Sequence, residues 1–329
     1  MKISLFVIFL LSFSSVFGQE IIKISGEAQG TTYHISYYDS KGRDLQPEIE
    51  EILDRFDQSV STYQPNSIIT KINNNIYSVP DLYFKTCFNK AKKIWKDTDG
   101  AFDPTVYPLS NAYGFGPGKK MKIEKSKIDS ILQFVGFEKI ELKNNKIIKK
   151  DKRVALDFNA FAQGYSVDVI SDFLKSKGIK SFLVEIGGEV FASGSKPDHS
   201  EWTVGIEKPI DNKETQNPLK AVIKLKNKAI ATSGNYRRFT IIDGVKYAHH
   251  LDPKTGYPTQ NNLLSVSVVS DQCITSDATA TGILVMGLEK SLVYLKNHPE
   301  INAYLIYSDA NGDYKIYISD GLKSLISEQ

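Results

Sequence analysis

The chain has 329 residues, 41% hydrophobic and 24% charged, a balance ordinary for a globular protein and long enough for a large core in one domain or two intimate ones. Its formal net charge is only +3, and its lysines are scattered over polar faces. Modest clusters occur, such as Lys149-Lys150-Asp151-Lys152-Arg153, which reads as a solvated turn, and the sequence carries no nucleic-acid footprint.

The first residues read as a secretory signal peptide. Lys2 gives a positive start, Leu5 to Phe13 is almost wholly apolar, and Val16-Phe17-Gly18 sets a cleavage point after Gly18. The apolar run is too short to span a bilayer comfortably. No Cys lies near the cleavage point, so a lipid anchor is not expected, and no later stretch is long and apolar enough for a membrane helix. The expectation is an exported, soluble protein of a bacterial periplasm, with residues 19–329 as a single domain. Cys87 and Cys273 could pair in such a compartment, though nothing in the sequence requires it.

Ile21 to Ser25 and Thr31 to Tyr38 read as strands. Pro47 opens a helix with Ile49, Ile52, Leu53, Phe56 and Val60 on one face. A second helix follows Asp81, with Leu82, Cys87, Ala91, Ile94 and Trp95 as its stripe and Gly100 as its stop. Residues 101–116 are rich in turn formers and aromatics and lack a clear period, which suits a functional loop. A short helix from Ser126 to Phe134 leads to a hairpin at Asn144-Asn145, and a strand through Val154-Ala155-Leu156 reaches Asp157. Phe161 to Lys177 reads as a helix closed by Gly178, and Ser181 to Ile186 as a strand ending in Gly187-Gly188. Further strands are expected at 202–206, 220–226, 229–232, 239–242 and 264–269, with Asp243-Gly244 as a hairpin signal. Helices from Ser276 to Met286 and Leu288 to Asn297 precede a closing hairpin at Asn311-Gly312. Without regular βαβ alternation the class is α+β, with helices packed on antiparallel sheets.

Thr275-Ser276-Asp277-Ala278-Thr279-Ala280-Thr281 is the most informative stretch. It sets the Asp277 carboxylate and the Thr281 hydroxyl four residues apart, on one helical face near a helix start. Two oxygen ligands at the positive end of a helix suit a hard cation carrying a phosphate. The plain alternative is a capped start, with Ser276 as N-cap and Asp277 answering the dipole. His249-His250-Asp252 raises a zinc reading. Adjacent side chains on an extended segment point to opposite sides, which argues against a shared metal.

Five segments combine: Ala101-Phe102-Asp103-Pro104, Asp157 through Tyr165, Glu185-Ile186-Gly187-Gly188, His249 through Pro258, and Ser276 through Thr281. In order and content they resemble the ApbE family of FAD:protein FMN transferases, over nearly the whole chain after residue 30. The resemblance implies an ApbE-like, T-fold-related architecture and an enzyme that takes FAD as substrate with magnesium. Such an enzyme attaches FMN through a phosphoester to a Thr or Ser of a target flavoprotein of the redox-pump type and releases AMP. Peripheral proximity to a membrane would follow from such a target. Some relatives instead hydrolyse FAD to FMN and AMP, and a non-catalytic flavin-binding protein is the third reading.

The resemblance implies metal oxygens from Asp277, Thr281 and the backbone carbonyl of Ala160, a set that favours magnesium or calcium over zinc. It assigns His250 as the base for the incoming hydroxyl. It points to Gln29, Tyr63, Ala101, Phe102, Asp103, Asp157, Gln163 and Leu251 for the flavin. Tyr63 and Phe102 offer aromatic surface, with core packing as the alternative for each, and Asp103 and Asp157 can accept hydrogen bonds. Two positions depart from the family pattern: Gln163 stands where many relatives carry Lys, and Asn159 where Gly is common.

Overall fold

The computed structural model describes residues 20–118, 120–207, 219–235, 239–242 and 245–328. The segment expected to be a signal peptide and Asp243-Gly244 lie outside them.

In chain order the strands are β1 (Ile21–Ala28), β2 (Thr31–Tyr38), β3 (Ile140–Lys143), β4 (Lys146–Lys149), β5 (Phe182–Ile186), β6 (Glu189–Ser193), β7 (Trp202–Glu207), β8 (Leu219–Leu225), β9 (Lys228–Gly234), β10 (Phe239–Ile242), β11 (Val245–Ala248), β12 (Leu263–Ser270), β13 (Asn302–Ser308), β14 (Tyr314–Ile318) and β15 (Ile326–Glu328). The helices are α1 (Gln46–Val60), α2 (Ile68–Asn73), α3 (Leu82–Asp97), α4 (Tyr107–Tyr113), α5 (Lys125–Leu132), α6 (Ala162–Ser176), α7 (Cys273–Met286) and α8 (Leu288–Asn297).

Eight strands form one sheet in the order β1-β2-β5-β6-β9-β12-β13-β14, with every neighbouring pair antiparallel. The two-residue period of its strands sends alternate side chains to two different cores. Phe191 of β6 packs among Val167, Ile170 and Leu174 of α6, while its neighbours Val190 and Ala192 pack with Trp202, Ile223 and Leu225 of the β15-β8-β7 sheet. The expected α+β class holds, and the sheet is covered on both faces.

α1 keeps its whole expected stripe buried. In α3 Cys87, Ala91 and Ile94 of the expected stripe are buried and Trp95 packs against the core, but Leu82 is 73% exposed and Phe84 and Phe88 complete the buried face instead. Asp81 caps that helix by accepting from the Phe84 N–H at 2.9 Å, so Leu82 sits in the first turn, beyond the buried stretch. The strand expected at Val154-Ala155-Leu156 does not form. A single side chain takes the ladder's place: Leu156 N–H donates to Asn73 Oδ1, and Asn73 Nδ2 donates to Leu156 O, both at 2.8 Å. Sequence reading also missed α2 and α4, both short, and the closing strand β15, which pairs with β8.

The helix that carries Asp277 begins earlier than expected. α7 starts at Cys273, after Gln272, so Ser276 is not its N-cap and Asp277 lies in the second turn. Its dipole therefore acts on other groups. The N–H groups of Cys273 and Ile274 donate to the two oxygens of Asp168 on α6, at 2.7 and 2.9 Å. α7 is buried along almost its whole length, between the β9–β12 part of the sheet and α6 and α3, and its run of Ser, Ala, Thr and Gly permits that approach. Cys87 and Cys273 are both buried and unpaired.

Candidate functional site

The site grows from the crossing of α6 and α7. Gly164 sits in the first turn of α6, where a Cβ would meet Cys273 O at 2.6 Å and Asp277 Cβ at 2.7 Å. With no side chain in the way, Gly164 N–H donates to Asp277 Oδ2 at 3.0 Å. Among the described residues no other hydrogen bond reaches that carboxylate, which is 7% exposed. Its charged neighbour is Asp168, also acidic, and burial pushes Asp277 up to about 7.

One turn further along α7, Thr281 Oγ1 lies 3.3 Å from Ala160 O and 3.2 Å from Ser233 Oγ, at the end of β9. Ala160 is exposed and closes a tight loop. Asp157 Oδ1 accepts from Asn159 N–H at 2.9 Å, and Asn159 Nδ2 reaches Thr62 Oγ1 at 3.2 Å. Asn159 thus ties this loop to the one carrying Tyr63. A hydroxyl and a main-chain carbonyl thus meet from two segments far apart in sequence, with the Asp277 carboxylate one turn away on the same helix. This all-oxygen set, with a buried carboxylate lacking a basic partner, fits a hard divalent cation. Among the described residues no group of three or more His, Cys, Asp or Glu side chains is arranged to hold a metal.

His250 is 8% exposed, and its Nδ1 lies 3.1 Å from Asn235 Oδ1. Burial, and next the adjacent His249, hold it well below the usual histidine range, so the ring is neutral at pH 7. The two imidazoles are not on opposite sides as alternation predicts. Their centroids are 3.8 Å apart, because the chain bends at His249 after β11 ends.

The flavin candidates divide. Gln29 stands at the β1–β2 hairpin tip with φ +55, a left-handed conformation uncommon for Gln. Its Oε1 accepts from Ser166 Oγ at 3.2 Å, while Nε2 is buried with no acceptor among the described residues. The Gln163 amide covers Gly187, where a Cβ would come within 2.8 Å of it. Gly187 and Gly188 both have positive φ and turn β5 into β6, as the diglycine signal suggested. Tyr63 is 59% exposed, and its hydroxyl donates to Phe115 O at 3.5 Å. Asp157 is partly exposed and is raised to about 6 by the protein around it.

Three candidates carry corrections. Phe102 is 2% exposed and packs edge-to-face on Phe161 at 5.4 Å, so its ring belongs to the core. Asp103 accepts from Thr105 N, Thr105 Oγ1 and Phe137 N, at 2.8, 2.6 and 2.9 Å, so its carboxylate is occupied in shaping the turn before α4. Leu251 is buried among Leu109, Tyr113, Ile128 and Ile131. The Phe102 ring and the Leu251 side chain are thus held in the core, and the Asp103 carboxylate already accepts three hydrogen bonds. Ala101 lines a cavity of about 300 Å³ with Asp252, Lys254 and Tyr294, and Asp103 lines one of about 490 Å³ with Trp95 and Glu138. Neither cavity is lined by Asp277, Thr281 or His250.

The model of the ApbE family matches residues 29–305. The chain belongs to the ApbE family. It is 34% identical to the FAD:protein FMN transferase of Vibrio cholerae over 319 residues, covering 94% of each chain. It is 35% identical to that of Haemophilus influenzae over 309 residues, covering 89% of this chain and 88% of the relative. The structure of the flavin transferase ApbE from Vibrio cholerae superposes with a TM-score of 0.85 at 34% identity, over 93% of this chain and 99% of that one. Within this ApbE chain, sequence reading passed over Asp168, Ser233 and Asn235. Asp168 left a signal, a lone carboxylate inside the apolar run Val167 to Ile170. Ser233 and Asn235 left none beyond the Ser-Gly-Asn step that ends β9.

Proposed function

We propose that this chain transfers FMN from FAD to the hydroxyl of a threonine or serine on a protein acceptor, with magnesium, forming a phosphoester and releasing AMP. One observation carries the reading most strongly. The Thr281 hydroxyl meets the Ala160 carbonyl at 3.3 Å, one helical turn from the buried Asp277 carboxylate, in a chain whose relatives are named FAD:protein FMN transferases.

A diphosphate is a poor electrophile because its oxygens carry charge, so transfer depends on neutralising that charge and on position. Asp277, Thr281 and Ala160 would hold the magnesium, which when bound supplies charge neutralisation at phosphate oxygens. The chain's own groups do the rest. Neutral His250 takes the proton from the acceptor hydroxyl. That oxygen bonds to the FMN phosphorus, the bond from this phosphorus to the bridging oxygen breaks, and AMP leaves. Gln29 Nε2 offers a buried donor still in need of an acceptor, and Tyr63 offers ring surface for stacking. The apolar segment after Lys2 supports export, which would place the acceptor among exported or membrane flavoproteins of the redox-pump type.

The test follows AMP release from FAD and magnesium with and without a protein carrying an exported Thr/Ser flavinylation segment. Acceptor-dependent AMP release in the parent, absent in Asp277→Ala, supports transfer. Equal AMP release without any acceptor assigns the chain to FAD hydrolysis instead.

A further inference from the structure

We propose that Asn235 is a positioning residue that fixes His250 in its Nδ1–H tautomer and leaves Nε2 as the proton acceptor, a role that rests on the transfer reading above. The argument comes from hydrogen-bond direction. Asn235 is pinned at the end of β9 by two carbonyls that can only accept: its N–H donates to Leu264 O at 3.1 Å and its Nδ2 to Leu263 O at 3.1 Å. The amide therefore has one orientation, and the atom it turns to His250 Nδ1, at 3.1 Å, is Oδ1. An amide oxygen cannot donate, so the proton of that bond resides on Nδ1. In the neutral ring the lone pair is then on Nε2.

The arrangement also serves the protonated ring. When Nε2 takes a proton from the acceptor hydroxyl, Nδ1–H still donates to the same oxygen, so the imidazolium forms without losing its partner. The same strand end touches the proposed cation site. Ser233, two positions before Asn235, bonds to Thr281 at 3.2 Å. β9 thus sets the base and the Asp277–Thr281 helix relative to each other. The titratable group facing His250 is His249, whose ring lies against it at 3.8 Å. Among the described residues no other titratable or charged side chain bonds to or stacks on that ring.

The test is two-bond 1H–15N correlation spectroscopy of histidine-labelled protein at neutral pH without FAD. The parent should show a protonated Nδ1 and an unprotonated Nε2 for His250, assigned by its loss in His250→Ala. In Asn235→Ala the tautomer should shift toward Nε2–H. FMN transfer should fall by about 10- to 100-fold, the range for removing the outer partner of a metal-bound imidazole, with FAD affinity unchanged. An Nε2–H tautomer in the parent, or parental transfer by a folded Asn235→Ala protein, overturns the proposal. The tautomer is read without any transfer occurring, so it can fail while the transfer reading stands, and the reverse.

Discussion

Gly164 and Asp277 are joined by a 3.0 Å hydrogen bond from main-chain N–H to carboxylate, across 113 residues of sequence. The bond exists because Gly164 has no Cβ at the tightest point of the α6–α7 crossing. Gly164→Ala puts a methyl group within 2.6 Å of Cys273 O, a main-chain atom that cannot swing aside. The helices must part, at about 1–3 kcal/mol for such overpacking. The variant should melt at lower temperature and bind magnesium more weakly, seen by calorimetry on one preparation. Unchanged melting and magnesium affinity would show that the crossing is not tight.

Titration of Asp277 gives a second prediction. Burial raises it from 3.8 to about 7, so the native state holds its proton more tightly than the unfolded chain. Its ionisation therefore destabilises the metal-free fold progressively as pH rises from about 4 to about 7. Asp103, Asp157 and Asp168, each raised to about 6, act in the same direction, while His250, held neutral by burial, acts in the opposite one. Asp277→Asn isolates the one contribution. Its stability relative to the parent should climb across that window and level off above it, and a flat difference contradicts the assignment. Magnesium competes with the same proton, so its affinity should rise through the window with proton release on binding.

Asp168 supplies both acceptors at the start of α7. Asp168→Ala leaves two buried N–H groups without partners and should cost about 1–3 kcal/mol. Because that start sets the position of Asp277 one turn later, magnesium affinity should fall too. Asp168→Asn keeps one acceptor and should fall between. A destabilised variant with parental magnesium affinity would confine Asp168 to the fold.

Two aromatics that looked alike in sequence should part in experiment. Phe102→Ala opens a cavity beside Phe161 and should cost about 3–5 kcal/mol in unfolding free energy. Tyr63→Ala should change stability by less than about 0.5 kcal/mol, as an exposed site does. It should weaken FAD binding several-fold, measured by flavin fluorescence. Parental FAD affinity in Tyr63→Ala would remove that ring from the flavin site.

That contrast shows what was legible in the chain. Periodicity located the buried stripe of α1, and diglycine chemistry located the β5–β6 turn, because both are local. The pairing of Asp277 with Thr281 was legible because four residues make one helical turn. The burial of Asp103 and Leu251 was not, and that of Phe102 stood only as an alternative, because it depends on Phe137, Tyr113 and Phe161, which only the fold brings near. The start of α7 was misplaced for the same reason: its cap is Asp168, borrowed from α6. The histidine alternation failed where the chain bends, a feature without a residue signature.

The most direct measurement is the intact mass of a candidate acceptor protein after incubation with this chain, FAD and magnesium. The account predicts a gain equal to one FMN less water on a single threonine or serine. The gain should be abolished by Asp277→Ala and by His250→Ala, the latter with FAD binding retained. Free FMN and AMP with the acceptor mass unchanged, or an adduct formed equally well by Asp277→Ala, would contradict it.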